Sequence, residues 1–283
     1  MINYRKIGIF FLVFISISIS VFASEKINER LNLKAALLVD MDSGEILFKQ
    51  NVDKAIQPAS LSKILTLYLV NEDIRSGRVS PSDMVKISAK AVKTKGSKIF
   101  YVEGEEVIFG DLIKIMAIFS ANDATVAVAE YLAGSVDKFV ERMNAKAKEL
   151  GMKHSYFVNP HGLPDRHQLS TARDIYILSR DYLQRFPDSL KIHSSQYFIY
   201  NYVIYQNRNT LIQENNDVDG LKTGYVRAAG YHLVATAKRG DRRLIAVVLG
   251  AKTPKIRDNQ TKKLLEFGFR IIDDKNQNSM VGA

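Results

Sequence analysis

The sequence predicts an α+β domain in which N- and C-terminal strands share one antiparallel sheet and a helical lobe is inserted between them. Three observations carry this. Two short β-rich runs, 34–40 (KAALLVD) and 45–48 (EILF), flank a turn near the start of the chain. Two longer apolar runs, 231–237 (YHLVATA) and 244–249 (LIAVVL), flank Arg239-Gly240-Asp241 near its end. Between them, apolar residues recur mostly at helical spacing.

Each element has a local reason. Asp42-Ser43-Gly44 supplies the small and φ-positive residues of a hairpin turn. The apolar segment 64–70 (ILTLYLV) belongs to a helix starting near Ser60 and stopped near Gly77. Residues 80–108 read as short strands and loops. Leu112, Ile115, Met116 and Phe119 then repeat at i, i+3, i+4 and i+7, one face of a helix. Ser120-Ala121-Asn122-Asp123 interrupts that pattern before a second helical run, 124–132, because Ser, Asn and Asp compete for backbone hydrogen bonds. A third amphipathic helix covers 135–150 and stops at Gly151. Residues 152–168 show no period and contain the turn cluster Asn159-Pro160-His161-Gly162-Leu163-Pro164-Asp165. Ser170-Thr171 caps the next helix, with Asp174 in its first turn.

The last third has strand character. It comprises 196–205 (QYFIYNYVIY), a turn at Val218-Asp219-Gly220, and the two runs already named, of which 244–249 is central because it is apolar throughout. A helix over about 256–271, carrying Leu264, Leu265, Phe267 and Phe269, closes the chain. The inserted lobe spans about 80–190 and residues 24–283 form a single domain. The cleft between lobe and sheet is the expected ligand site.

Residues 1–23 stand apart. Arg5 and Lys6 precede an uncharged apolar run, 7–21, and Val21-Phe22-Ala23 offers the compact residues of a cleavage site. That is the anatomy of a secretory signal peptide cut after Ala23, and an exported, periplasmic protein is expected. The rival, a retained anchor, has only 17 residues, 7–23, interrupted by Ser16, Ser18 and Ser20. The absence of cysteine excludes thiolate nucleophiles, cysteine-bound zinc and iron–sulfur clusters. His154, His161 and His167 match no standard metal spacing. The charge is +10, or +8 once the two leader cations are removed. In an exported protein this suits the anionic cell envelope rather than nucleic acid.

Three short motifs carry the chemistry-bearing residues. Ser60 and Lys63 are one turn apart on one helix face. A hydroxyl beside an amine with apolar residues behind it is one way to activate a serine nucleophile without histidine, though the pair alone is a common spacing. A second copy, Ser135-Val136-Asp137-Lys138, reads as a helix N-cap followed by a solvated lysine. Ser120-Ala121-Asn122 and Lys222-Thr223-Gly224 stand at two other element boundaries; singly they read as a helix cap and an edge strand entering a turn. Their joint occurrence in this order points to one site.

In that order the motifs resemble the signature of the penicillin-recognising serine enzymes. Within that group the chain resembles the D-alanyl-D-alanine carboxypeptidases, low-molecular-mass penicillin-binding proteins. Segments 35–42, 58–63, 120–124, 159–164, 170–174, 219–230 and 233–250 share the likeness. It implies a β-lactamase/transpeptidase-like fold, no cofactor and no metal, peptidoglycan stem peptides as substrates, and β-lactams as covalent inhibitors. It also implies roles. Ser60 is the acylated nucleophile, Lys63 takes its proton, Ser120 passes a proton to the departing D-alanine, and Asn122 binds the substrate backbone. Lys222 and Thr223 face the terminal carboxylate, and Gly224 keeps the strand edge open. The backbone N–H groups of Ser60 and Tyr225 form an oxyanion hole. Arg208 and Arg257 match positions near the carboxylate, the alternative for each being a solvated surface arginine. A neutral Lys63 requires a pKa about three below the usual value of about 10.4, roughly 4–5 kcal/mol. Burial beside Ile64 and Leu67 and the like charge of Lys222 act in that direction.

Some positions depart from the family pattern. Ser62 stands where the family often has Thr and Ala121 where it often has Gly, both small; Tyr225 and His232 occupy variable positions. His161 reads as a surface or packed histidine rather than a base. Longer members carry a further β-rich domain and a C-terminal amphipathic anchor, and neither is expected here. The function implied is a serine-type D-Ala-D-Ala carboxypeptidase acting on stem pentapeptide. The alternative is a D-alanyl-D-alanine endopeptidase cutting cross-links by the same chemistry. A class A β-lactamase would need a Glu-x-x-x-Asn segment after the helical lobe, and 151–169 contains no Glu. A non-catalytic penicillin sensor is opposed by the presence of every chemical residue.

Overall fold

Leu37 and Val39 face one side of β1 (Ala35–Asp40) and Ala36 and Leu38 the other, and all four are buried in separate apolar clusters. A sheet covered on both faces follows from that strand alone. The computed structural model describes residues 30–281; the leader and its cleavage site lie outside them. In chain order, β1 pairs with β2 (Ile46–Gln50), and helix α1 (Ser62–Arg75) follows. Then come β3 (Met84–Lys86), α2 (Ala89–Lys93) and β4 (Glu106–Ile108). The lobe continues with α3 (Phe109–Ile118), α4 (Asn122–Ala133), α5 (Val136–Glu149), α6 (Ala172–Arg185) and α7 (Leu190–His193). The chain ends through β5 (Tyr197–Tyr200), β6 (Val203–Gln206), α8 (Leu211–Glu214), β7 (Val218–Val226), β8 (Gly230–Arg239), β9 (Arg242–Ala251) and α9 (Pro254–Val281).

The main sheet is antiparallel, in the order β2-β1-β9-β8-β7, so the uniformly apolar 244–249 run is central and β7 is an edge. One face, with Leu37, Val39, Ile245 and Val247, packs on the helical lobe. The other, with Leu38, Ala246 and Val248, packs on Leu264, Leu265, Phe267 and Phe269 of α9. The expected helix break is present: α3 ends at Ile118, and Ser120 takes φ +69° before α4 begins. Thr171 caps α6, accepting from the Asp174 N–H at 3.1 Å. Among the described residues, no helix is long and apolar enough to cross a membrane.

Four expectations need correction. Residues 196–205 are not a strand of the main sheet; β5 and β6 pair only with each other, folding back through Asn201 and Tyr202, both at positive φ. Their apolar run conceals the turn, since only Asn is at ease in the left-handed region. Residues 218–220 are not a turn but the irregular start of β7. There Asp219 is held by a two-pronged bond from Arg243, 2.7 Å on each oxygen. The stretch 80–108 includes a helix, α2, which Ser88 caps by accepting from the Ala91 N–H at 3.0 Å. Finally, α9 runs well beyond 271.

Candidate active site

Ser60 lies in a single 3₁₀ turn, Ala59–Leu61, leading into α1, and Lys63 follows one turn later with no exposed surface. Ala59 holds φ +52°, where a Cβ is strained. Gly162, at φ +88°, lies directly on this turn: a Cβ there would fall 1.9 Å from Ala59 O. Asn159 shapes the overlying loop, its Oδ1 accepting from Gly162 N–H at 2.7 Å and its Nδ2 donating to Leu163 O at 3.0 Å. Thr66 of α1 donates its hydroxyl to Pro160 O at 2.8 Å, tying loop to helix.

Three oxygens surround Lys63 Nζ: Asn122 Oδ1 and His161 O at 2.7 Å, and Ser60 Oγ at 3.2 Å. Burial, and after it the charge of Lys222, pushes the Lys63 pKa well below the ordinary lysine value. The two short contacts are to oxygens that only accept, so they take two N–H bonds. A neutral amine then turns its lone pair towards Ser60 Oγ, where it can receive the hydroxyl proton.

Asn122 is fixed from its other side, Nδ2 donating to Lys95 O and the backbone N–H to Ser97 O, each at 2.7 Å. Gly96, between those two, has φ +89°, and a Cβ would come within 2.6 Å of Asn122 Nδ2. Asp123 is fully buried and accepts from Ile99 and Phe100 N–H at 2.9 and 3.0 Å, which holds the rest of this segment in place. Beside them Ser120 presents a buried hydroxyl with no hydrogen-bond partner among the described residues. Such a group costs roughly 1–3 kcal/mol, and it is available to exchange a proton with a ligand.

Strand β7 makes the facing wall. A Cβ on Gly224 would lie 3.2–3.3 Å from Ala59 Cβ, Pro58 O and Ser60 N, so glycine lets the strand edge rest on the turn that carries Ser60. Lys222 is buried, and burial, with Arg208 and Arg257 adding like charge, lowers its pKa to about 7. Arg257 is buried at the start of α9 and held by Asp258 at 2.7 and 3.0 Å. Arg208 lies over the Phe119 ring, 4.1 Å from its centre. Tyr225 is half-exposed and stacks on Tyr231 with ring centres 4.2 Å apart. His232 accepts from Gly250 N–H at 2.9 Å and donates Nε2–H to Gln57 O at 3.1 Å, linking the sheet to the segment before Ser60. Burial lowers its pKa to about 4, so it stays neutral in this role.

Of the ten residues singled out in the sequence, Ser60, Ser120, Asn122, Arg208, Thr223, Gly224, Tyr225 and Arg257 line one cleft of about 560 Å³. Lys63 and Lys222 lie buried behind its wall. Both arginines therefore face the cleft, and neither is a solvated residue elsewhere on the surface. Ser135 is not part of the cleft lining; its hydroxyl accepts from the Lys138 N–H at 3.2 Å as a helix cap.

The D-alanyl-D-alanine carboxypeptidase family pattern matches residues 22–253. The chain belongs to that family. It is 41% identical over 261 residues to the D-alanyl-D-alanine carboxypeptidase DacC of Escherichia coli K12, covering 89% of this chain and 65% of DacC. It thus spans just under two thirds of that relative's length. It superposes on penicillin-binding protein 5 of Haemophilus influenzae with a TM-score of 0.83 and 39% identity, covering 86% of this chain and 72% of that one. The D-alanyl-D-alanine endopeptidase of E. coli K12 is 27% identical over 227 residues, covering 77% of this chain and 71% of that protein.

Several site features of this family member escape a reading of the sequence. The His161 carbonyl holds Lys63, while the His161 ring stays neutral, its pKa lowered to about 3 by burial and by Lys63. Gly162 was visible only as part of a turn cluster. The Lys95-Gly96-Ser97 segment carries no signal beyond one glycine between polar residues. Asp123 is hidden because nothing in sequence marks a carboxylate that serves distant backbone N–H groups.

Proposed function

We propose that this chain is a serine-type D-Ala-D-Ala carboxypeptidase that releases the terminal D-alanine of peptidoglycan stem pentapeptides through an acyl-enzyme on Ser60. The observation that carries the reading is the buried Lys63 amine, shared between two obligate acceptors and Ser60 Oγ. The substrate lies along the free edge of β7, antiparallel to it. Its terminal carboxylate meets Lys222, Thr223, Arg208 and Arg257, and its scissile carbonyl oxygen sits between the N–H groups of Ser60 and Tyr225. Ser60 Oγ bonds to the carbonyl carbon as its proton passes to Lys63. The C–N bond then breaks, Ser120 relays a proton to the leaving D-alanine nitrogen, and an ester remains on Ser60. Water attacks that ester, and the peptide leaves one residue shorter. A β-lactam opens by the same steps, but its leaving nitrogen stays tethered, so the ester persists.

Asn122 serves chiefly to hold Lys63, with one amide N–H left for the substrate backbone. Residues 1–23 act as a leader cleaved after Ala23, residues 24–283 as one catalytic domain, and the enzyme works in the periplasm on the cell wall. A second reading, endopeptidase cleavage of D-alanyl cross-links, rests on the more distant E. coli endopeptidase relative. The test is mass spectrometry of a β-lactam adduct, expected on the peptide containing Ser60, followed by digestion of pentapeptide and of cross-linked muropeptide. Free D-alanine from the pentapeptide is expected. Monomer from cross-links without free D-alanine would replace the first reading with the second, and an unlabelled Ser60 would overturn both.

A further inference from the structure

The cleft lining contains three arginines, Arg208, Arg227 and Arg257, and no aspartate or glutamate. Two of these fall where the terminal carboxylate is bound, and Arg227 is left over. It is exposed, and it makes no hydrogen bond or ion pair among the described residues. Its backbone, by contrast, is set: Val226 ends β7, Ala229 N–H closes a turn onto Val226 O at 3.0 Å, and Lys34 Nζ braces Ala228 O at 2.9 Å. A well-placed guanidinium in a cleft, without a partner, is a carboxylate receptor by its chemistry.

The direction of the bound peptide says which carboxylate. With the C-terminal carboxylate at Lys222 and Thr223 and the scissile carbonyl at Tyr225, residues before the scissile bond run on towards Val226 and Arg227. An extended chain advances about 3.3 Å per residue, so the third stem residue, one step before the scissile D-alanine, falls opposite Val226, beside Arg227 in the turn that follows β7. Lys95, the neighbour of the cleft-lining Gly96, is also exposed and of the same sign. We infer that Arg227 is a specificity residue that reads a free side-chain carboxylate on the third stem residue, as in diaminopimelate-type stems, against amidated or lysine-type stems. The inference rests on the carboxypeptidase reading above.

Two probes test it: acetyl-2-aminopimelyl-D-Ala-D-Ala, with its free side-chain carboxylate, and the same peptide with that carboxylate amidated. The amidated peptide is expected to show a KM about three- to tenfold higher, the range for one partly solvated Arg–carboxylate pair. In Arg227→Ala the ratio collapses towards one, and in Arg227→Glu it inverts. Lys138→Ala, which removes the same charge outside the cleft, keeps the parent ratio. A parent ratio of one, or a ratio that survives Arg227→Ala, overturns the inference while leaving the carboxypeptidase reading in place. Release of D-alanine from neither peptide overturns that reading and the inference together.

Discussion

Ser60–Lys63 and Ser135–Lys138 share one spacing, and each begins a helix, yet they have nothing else in common. At the second, Ser135 Oγ accepts a backbone N–H, and Lys138 extends into solvent. At the first, the serine precedes the helix by a strained 3₁₀ turn, and its lysine is fully buried among oxygens supplied by α4 and by the 159–164 loop. Spacing alone puts hydroxyl and amine within reach. Burial and the acceptors delivered by other parts of the chain decide whether the amine is a base or a solvated cation.

The largest test of that contrast is to remove each amine. Lys63→Ala is expected to slow acylation of Ser60 by a β-lactam by a factor of about 10²–10⁴, the usual worth of a positioned general base. Lys138→Ala is expected to leave the labelling time course, followed by intact-protein mass spectrometry, unchanged. Lys63→Arg should fail like Lys63→Ala, since guanidinium does not give up its proton in proteins. Equal effects at the two lysines would break the comparison.

What made the first copy legible was its company. The sheet strands, the α3/α4 break and the three motifs are written in periodicity and breakers, local signals that survive without a structure. The cleft-facing position of Arg208 and Arg257 was readable only through family likeness. Most of the support for Lys63 was not readable at all. A carbonyl such as His161 O has no sequence identity, since every residue carries one. Asp123 acts through backbone N–H groups some two dozen residues away. The β5–β6 hairpin was misplaced because its inner residues, Phe198 and Tyr205, and its outer ones, Ile199 and Ile204, are alike apolar. Alternation, the usual sign of which way a strand faces, is missing there.

An intermediate effect is expected from pH, because the proposed chemistry needs the two buried lysines in opposite states, Lys63 neutral and Lys222 charged. At saturating β-lactam, acylation should rise with pH as Lys63 loses its proton, then level off. In the proposed mechanism Lys222 holds the substrate carboxylate as a cation, so KM for a peptide should rise above pH of about 7. The same group carries a stability term. Its pKa is about 7 folded and about 10.4 unfolded, so between these values the unfolded chain binds more protons. Stability then increases with pH across that window, and below 7 the penalty of a buried cation is present in full. Denaturant melts at pH 6, 8 and 10 should show this rise in the parent relative to Lys222→Met; parallel curves would remove Lys222 as its source.

The smallest effect sharpens the comparison from the other side. Ser135→Ala deletes an N-cap and should lower stability by about 0.5–2 kcal/mol in denaturant titration, without changing the labelling rate of the folded protein. Ser60→Ala should do the reverse. Its hydroxyl caps nothing, since the residue before α1 is Leu61 and no side-chain cap bond is made there. Losing it removes one 3.2 Å contact to Lys63 and leaves the two shorter ones intact. The adduct should vanish while the melt shifts by no more than about 1 kcal/mol, the net worth of one hydrogen bond. A Ser60→Ala protein that melted much earlier would mean that the hydroxyl is part of what keeps Lys63 buried. The two serines would then differ less than their surroundings imply.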